Sequence, residues 1–176
     1  MGQDKTTVWT ERLILRLPQE NDFEAYAAIW ADPEVVRYIG AVPRSRARCR
    51  DAWEKNLTSW KTQGDGNWMV EGRESAALIG QVGFFHGDRG VGDDFDPLAE
   101  CGWVVASGHF GKGYGTESVL AAHGWWDQFQ DGGDTVCIIV VDHTASVRLA
   151  QKAGYRFVRR AEYMRDQVDL FRRGAG

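Results

Sequence analysis

Between His109 and Thr116 the chain reads His-Phe-Gly-Lys-Gly-Tyr-Gly-Thr, with glycine at 111, 113 and 115. Glycines at alternate positions let a backbone take positive φ and approach a ligand without interference from a Cβ, while Lys112 and Thr116 offer further donors. The segment stands between a stretch with strand character, residues 100–106, and a helical pattern that starts near Gly115. At such a junction the unpaired N–H groups of the first helical turn and the positive end of the helix dipole make an anion site suited to phosphate. Two nucleotide-binding strings do not fit. No Gly-Lys-Ser/Thr closes a Walker-type loop, and Thr116 occupies the last glycine position of GxGxxG. On the cluster alone, a turn that serves tight strand-to-helix packing explains the glycines equally well.

The elements that must hold this loop follow from periodicity. Residues 12–17 alternate as a strand, and Pro18 ends it. Asn21 or Asp22 caps a helix carrying Phe23, Tyr26, Ala27 and Trp30, which stops before Asp32-Pro33. A second helix starts after Pro43 with Ser45 as cap and runs through Trp53, Leu57 and Trp60 to Gly64. Residues 67–70 and 76–85 read as a hairpin, followed by a Gly- and Asp-rich loop over 87–96. After the strand at 100–106, the helix at 115–129 aligns Val119, Ala122, Trp126 and Phe129 on one face. The apolar run 135–141 suits a central strand covered on both faces, 145–153 a short helix ended by Gly154, and 155–173 two strands. The order β-α-α-β-β-β-α-β-α-β-β predicts one α/β or α+β domain over 1–176 with a mixed sheet, residues 1–9 being a flexible lead-in.

Composition bounds what such a domain does. The chain has 176 residues, a formal charge of −4 and 43% hydrophobic residues, enough for one self-sufficient core. Its charges are interspersed and its pI is acidic, so no basic stripe offers itself to nucleic acid or an anionic membrane. Cys49, Cys101 and Cys137 lack any zinc spacing, which predicts no metal and free thiols in a reducing cytoplasm. No signal peptide or membrane anchor is evident. The eight tryptophans are expected mainly in the core.

Four stretches together, ERLILR, ECGWVV, FGKGYGTES and ASVRLAQKAGY, resemble the GNAT superfamily of N-acetyltransferases, and within it the RimJ/RimL-like branch. The family's phosphate-loop glycines fall on Gly113 and Gly115, and its downstream signature falls on Ser146, Lys152, Gly154 and Tyr155. The resemblance implies a mixed sheet of about seven strands, splayed at the cofactor site and flanked by about four helices. It implies acetyl-CoA as cosubstrate, with Trp103, Val104 and Val105 holding the pantetheine arm. Phe110, Gly111, Lys112, Gly113, Tyr114, Gly115 and Thr116 would surround the pyrophosphate, with Lys152 nearby. Three positions depart from the family pattern: Phe110 replaces a Gln or Arg, His143 replaces an Asn, and Ala150 replaces a tyrosine that protonates the leaving thiolate in many members.

The implied reaction is direct acetyl transfer to a primary amine, of a small molecule or a protein N-terminus, in a ternary complex. Glu100 matches a carboxylate that takes the amine proton in some relatives; a salt-bridged strand glutamate is the plain alternative. Ser146 is the candidate for assisting the thiol, or else a helix-start residue that bonds backbone. The loop before Glu100 carries four aspartates against one arginine; Asp93, Asp94 and Asp96 are expected to select cationic acceptors, unless the loop is only a solvated connection. The departures also motivate an alternative function, a catalytically weak CoA-binding sensor or interaction module. A homodimer is compatible with either.

Overall fold

Alternation of apolar residues puts Leu13 and Leu15 on one face of strand β2 (Leu13–Arg16), and both are fully buried. In the computed structural model, residues 6–130 and 132–174 are described. Among them β2 belongs to an eight-stranded sheet in the order β1-β2-β3-β4-β5-β6-β8-β7. The other strands are β1 (Val8–Trp9), β3 (Asn67–Gly72), β4 (Leu78–Phe85), β5 (Ala99–Val105), β6 (Thr135–Val140), β7 (Arg156–Tyr163) and β8 (Asp166–Arg173). Every neighbouring pair is antiparallel except β5 and β6. The helices are α1 (Phe23–Ala31), α2 (Pro33–Val36), α3 (Arg46–Thr62), α4 (Tyr114–Phe129) and α5 (Thr144–Lys152).

Two elements go beyond the sequence-based order. Val8 and Trp9 pair with Leu15 and Ile14, so this part of the expected lead-in is an edge strand; residues 1–5 lie outside the described residues. Asp32-Pro33 ends α1 as expected, but it also starts α2: the Asp32 side chain accepts from Glu34 N–H (2.9 Å) and Pro33 takes the first helical position. Ser45 caps α3 as expected, its hydroxyl accepting from Arg48 N–H (3.3 Å).

The sheet separates two apolar layers. On one face α4 buries Val119, Ala122, Trp125 and Trp126 against Leu13, Leu15, Val82 and Phe84. Trp60, Trp68 and Trp125 meet there edge-on, with centroids 4.8–5.9 Å apart. On the other face α1, α2 and α3 bury Phe23, Tyr26, Trp30 and Trp53 around Met69 and Val104. Strand β5 serves both layers: Cys101, Trp103 and Val105 pack towards α4, Val104 towards α1 and α3. No helix among the described residues is long and apolar enough to cross a membrane.

Candidate active site

Strands β5 and β6 pair only at Ala99 with Thr135 and Glu100 with Val136. Beyond that point β5 stays with β4 and β6 with β8, so the two strands part and their inner edges face a cleft of about 620 Å3. Which groups of β5 face the gap follows from the alternation of the ladder. Ala106 N–H donates to the Ile79 carbonyl (2.8 Å), and the Val104 carbonyl sits so close to Gly80 that a Cβ there would collide with it. These residues turn their peptide groups towards β4, so Trp103 and Val105 turn theirs to the gap.

Beyond β5 the chain makes a short 3-10 turn, Ser107–His109, and enters the glycine loop. Gly111 and Gly113 have φ of +73° and +82°, and Gly113 is the residue that starts α4. The first helical bond runs from Glu117 N–H to the Gly113 carbonyl (3.1 Å), so the amides of Tyr114, Gly115 and Thr116 have no acceptor within the helix. Gly115 meets a packing demand instead: a Cβ there would lie 3.0 Å from Leu149 Cδ1 and 3.4 Å from Val105 Cγ2. The two explanations of the cluster are thus divided between different glycines. Lys112 folds back on the loop, its Nζ donating to the Gly108 carbonyl (2.9 Å), while Phe110 is half exposed and Lys152 exposed at the end of α5.

The loop is pinned from the start of the chain. Arg12 Nε donates to Glu117 (2.7 Å), its Nη1 donates to the Lys112 carbonyl (3.0 Å), and its guanidinium lies 4.6 Å from the Tyr114 ring centre. Thr10 Oγ1 adds a bond to Glu117 (2.6 Å). Against its partial burial, these donors hold the Glu117 carboxyl below its ordinary range.

At the base of the cleft Glu100 is buried and gripped by Arg89 through two bonds, Nε to Oε2 (2.8 Å) and Nη2 to Oε1 (3.0 Å). Arg89 Nη1 also donates to the Tyr163 hydroxyl (2.8 Å). Burial raises the Glu100 pKa, and Arg89 works against that. Across the gap, Trp103 Nε1 donates to Ser146 Oγ (3.2 Å), which lies 3.4 Å from His143 Nε2. His143 stacks on Tyr38 with ring centres 4.3 Å apart, and burial lowers its pKa. Ala150 is fully buried in the α4 layer, and the Tyr155 hydroxyl is 2.9 Å from Thr135 Oγ1 in the core.

The structure brings Glu100, Trp103, Val104 and Ser146 to one cleft, but not the acidic trio. Asp93 is exposed, Asp94 pairs with Arg159 (2.7 Å), and Asp96 accepts from the amides of Arg89, Val91 and Gly92 at 3.0–3.1 Å. These bonds turn the loop inward so that its single arginine, Arg89, reaches the cleft. The anion expected to face an acceptor is therefore replaced by a cation already paired with Glu100. Arg89, Tyr38 and Arg44 line the cleft and had no distinguishing signal in sequence, except that Arg89 is the one basic residue of its loop.

The family model of the acetyltransferase (GNAT) domain matches residues 12–156 of this chain. A GNAT-family acetyltransferase of Bordetella pertussis, described as putative, superposes with a TM-score of 0.86 at 23% identity, covering 96% of this chain and 99% of that one. The ribosomal-protein α-N-acetyltransferase RimL, in complex with coenzyme A, has a TM-score of 0.78 at 14% identity over 96% and 98% of the two chains. A spermidine N-acetyltransferase of Vibrio cholerae, in complex with CoA and spermine, has a TM-score of 0.74 at 17% identity over 93% and 95%. With a cleft opened between two parting strands, a glycine-started helix beside it and a family match over most of its length, the chain belongs to the GNAT acetyltransferases.

Proposed function

We propose that the protein moves an acetyl group from acetyl-CoA to a primary amine by direct transfer in a ternary complex, as a member of the RimJ/RimL-like branch. The observation that carries this reading is the parting of β5 and β6 beside the Gly113 start of α4. The opening exposes the unpaired strand groups of β5, and the unpaired helix amides lie past the end of that strand, where Gly115 packs against Val105. RimL and the spermidine enzyme, which share the fold, hold CoA. The groups present fit such a molecule: the amides from Gly111 to Thr116 suit a pyrophosphate, with Phe110 and Lys152 at its margin. Trp103, Val104 and Val105 suit the arm. Bound there, acetyl-CoA would supply a thioester whose carbonyl carbon gains a C–N bond to the amine and loses its C–S bond, CoA leaving as a thiolate that takes its proton from water.

The chain's own residues handle protons and charge. The Val105 N–H, turned to the gap, polarises an acyl oxygen. Glu100 accepts the amine proton through water, with Arg89 limiting its basicity. That limit favours acceptors that deprotonate readily: an α-amine with a pKa near 8 costs about 0.8 kcal/mol to neutralise at pH 7.4, an ε-ammonium about 4. Ser146, held by Trp103 Nε1, donates a hydrogen bond to the departing sulfur, which suffices for a thiol with a pKa near 8.5. Thiol release from acetyl-CoA with a panel of amines, alongside calorimetric CoA binding, tests the reading. CoA binding without turnover of any amine would favour the sensor function instead.

A further inference from the structure

The cleft has a wall that acetyl transfer leaves unused. Arg44, in the connection between α2 and α3, is fixed by its own N–H donating to the Trp30 carbonyl (2.9 Å). Its guanidinium carbon lies 3.3 Å from the centre of the Trp30 indole. Trp30 Nε1 in turn donates to Gln81 Oε1 (3.2 Å), and Gln81 stands opposite Val104 in the β4–β5 ladder. Arg44 is thus positioned, through an indole and an amide, at the level of β5 where the strands have parted. Arg48, the third residue of α3, lines the same cleft.

Of the three arginines lining the cleft, only Arg89 has a carboxylate partner among the described residues. The groups facing Arg44 are Tyr26, Cys49 and Arg48. None is an anion at neutral pH: burial pushes the Tyr26 hydroxyl up to about 12 and raises the Cys49 thiol. Burial lowers the Arg44 pKa, and the Arg48 charge works in the same direction. Two neighbouring cations, one of them half-buried and backed by an aromatic ring, thus stand at the cleft without a carboxylate partner among the described residues. The cleft's about 620 Å3 must also admit the acyl end of the donor, which leaves room for a small partner.

We propose that this wall binds the acceptor by a carboxylate, so that the acceptor is a small amine bearing a carboxylate, with Arg44 and Arg48 as its counter-ions. The proposal rests on the acetyl-transfer reading and reverses the cationic selectivity expected from the acidic loop. Guanidinium groups match the two oxygens of a carboxylate, and the Arg44 position next to β5 keeps the anion a few bonds from the reacting nitrogen.

The test compares acceptors that share a side chain and differ in the anion: free amino acids against their carboxamides, each rate referred to the concentration of unprotonated amine because losing the carboxylate lowers the amine pKa, with spermidine and an acidic peptide with a free N-terminus as further arms. Thiol release gives kcat/KM for each on the unmodified protein, so the first comparison depends on no variant. The expected result is a preference of about tenfold or more for acid over amide, expressed in KM. Arg44→Gln and Arg48→Gln should each bring that ratio towards one while calorimetric CoA affinity stays the same. Arg48 is exposed, so its variant remains informative if Arg44→Gln folds poorly. Amides or spermidine used as well as acids, a ratio kept in both arginine variants, or an acidic peptide preferred over every free amino acid would each overturn the proposal. Turnover of spermidine alone would overturn it and leave acetyl transfer standing. Absence of both CoA binding and turnover would overturn both.

Discussion

Arg89 holds Glu100 by two parallel bonds of 2.8 and 3.0 Å, which makes the candidate base and its counter-charge one unit. Arg89→Met strips a buried carboxylate of its partner. The expected cost is about 3 kcal/mol of stability at pH 7, read by urea unfolding. With the guanidinium gone, burial raises the Glu100 pKa unopposed, so the rising limb of the pH–rate profile should move to higher pH. An unmoved limb would assign that limb to another group.

Gly113→Asp should abolish CoA binding measured by calorimetry. Its φ of +82° strains any side chain, a Cβ there approaches Arg12 Nη2 at 3.3 Å, and the added carboxylate would repel a pyrophosphate. The strain alone amounts to about 1–2 kcal/mol, which a domain of this size survives. A folded variant that binds CoA with unchanged affinity would remove the loop from the cofactor site.

Ser146→Ala leaves Trp103 Nε1 without its acceptor and the departing sulfur without its donor. The expected effect is a fall in kcat of about tenfold, equivalent to about 1.4 kcal/mol of barrier, at constant CoA affinity. A change in CoA affinity with kcat intact would make Ser146 a support for Trp103 only.

His123 is buried in α4 between Phe84 and Tyr155, and neither ring nitrogen has a hydrogen-bond partner among the described residues. Burial pushes its pKa down from 6.5 to about 3. Between those values the unfolded chain binds a proton that the folded one refuses. The histidine's contribution is therefore fully present above pH 6.5 and declines as pH falls towards 3. His123→Leu should flatten the fall of unfolding free energy across that window by up to about 1.4 kcal/mol per pH unit, without loss at pH 7. Parallel stability curves for the two proteins would disprove it.

What sequence could show depended on the range of the interaction. The α4 start and the cap at Ser45 were legible because a helix terminus is written in adjacent residues. In sequence Asp32-Pro33 signals a stop, although the same pair caps and opens a new helix, and two residues of β1 are too few to display alternation. Partners remote in sequence left no local mark: Arg12 reaches Glu117, and Arg159 neutralises Asp94. Charge counting over the acidic loop failed for that reason, since it tallies carboxylates without their distant cations.

With only two residue pairs joining β5 to β6, the eight strands form two half-sheets, β1 to β5 and β6 to β8, which share very little of their hydrogen bonding. The two halves are consequently held together by packing, α4 against β5 and α5 against β6, more than by the ladder, and water must serve the peptide groups of Trp103 and Val105 until something replaces it. A molecule that bonds to them completes an unfinished ladder. Amide exchange at those two residues should then slow sharply when the cleft is filled, making the ligand in effect a removable strand of the sheet.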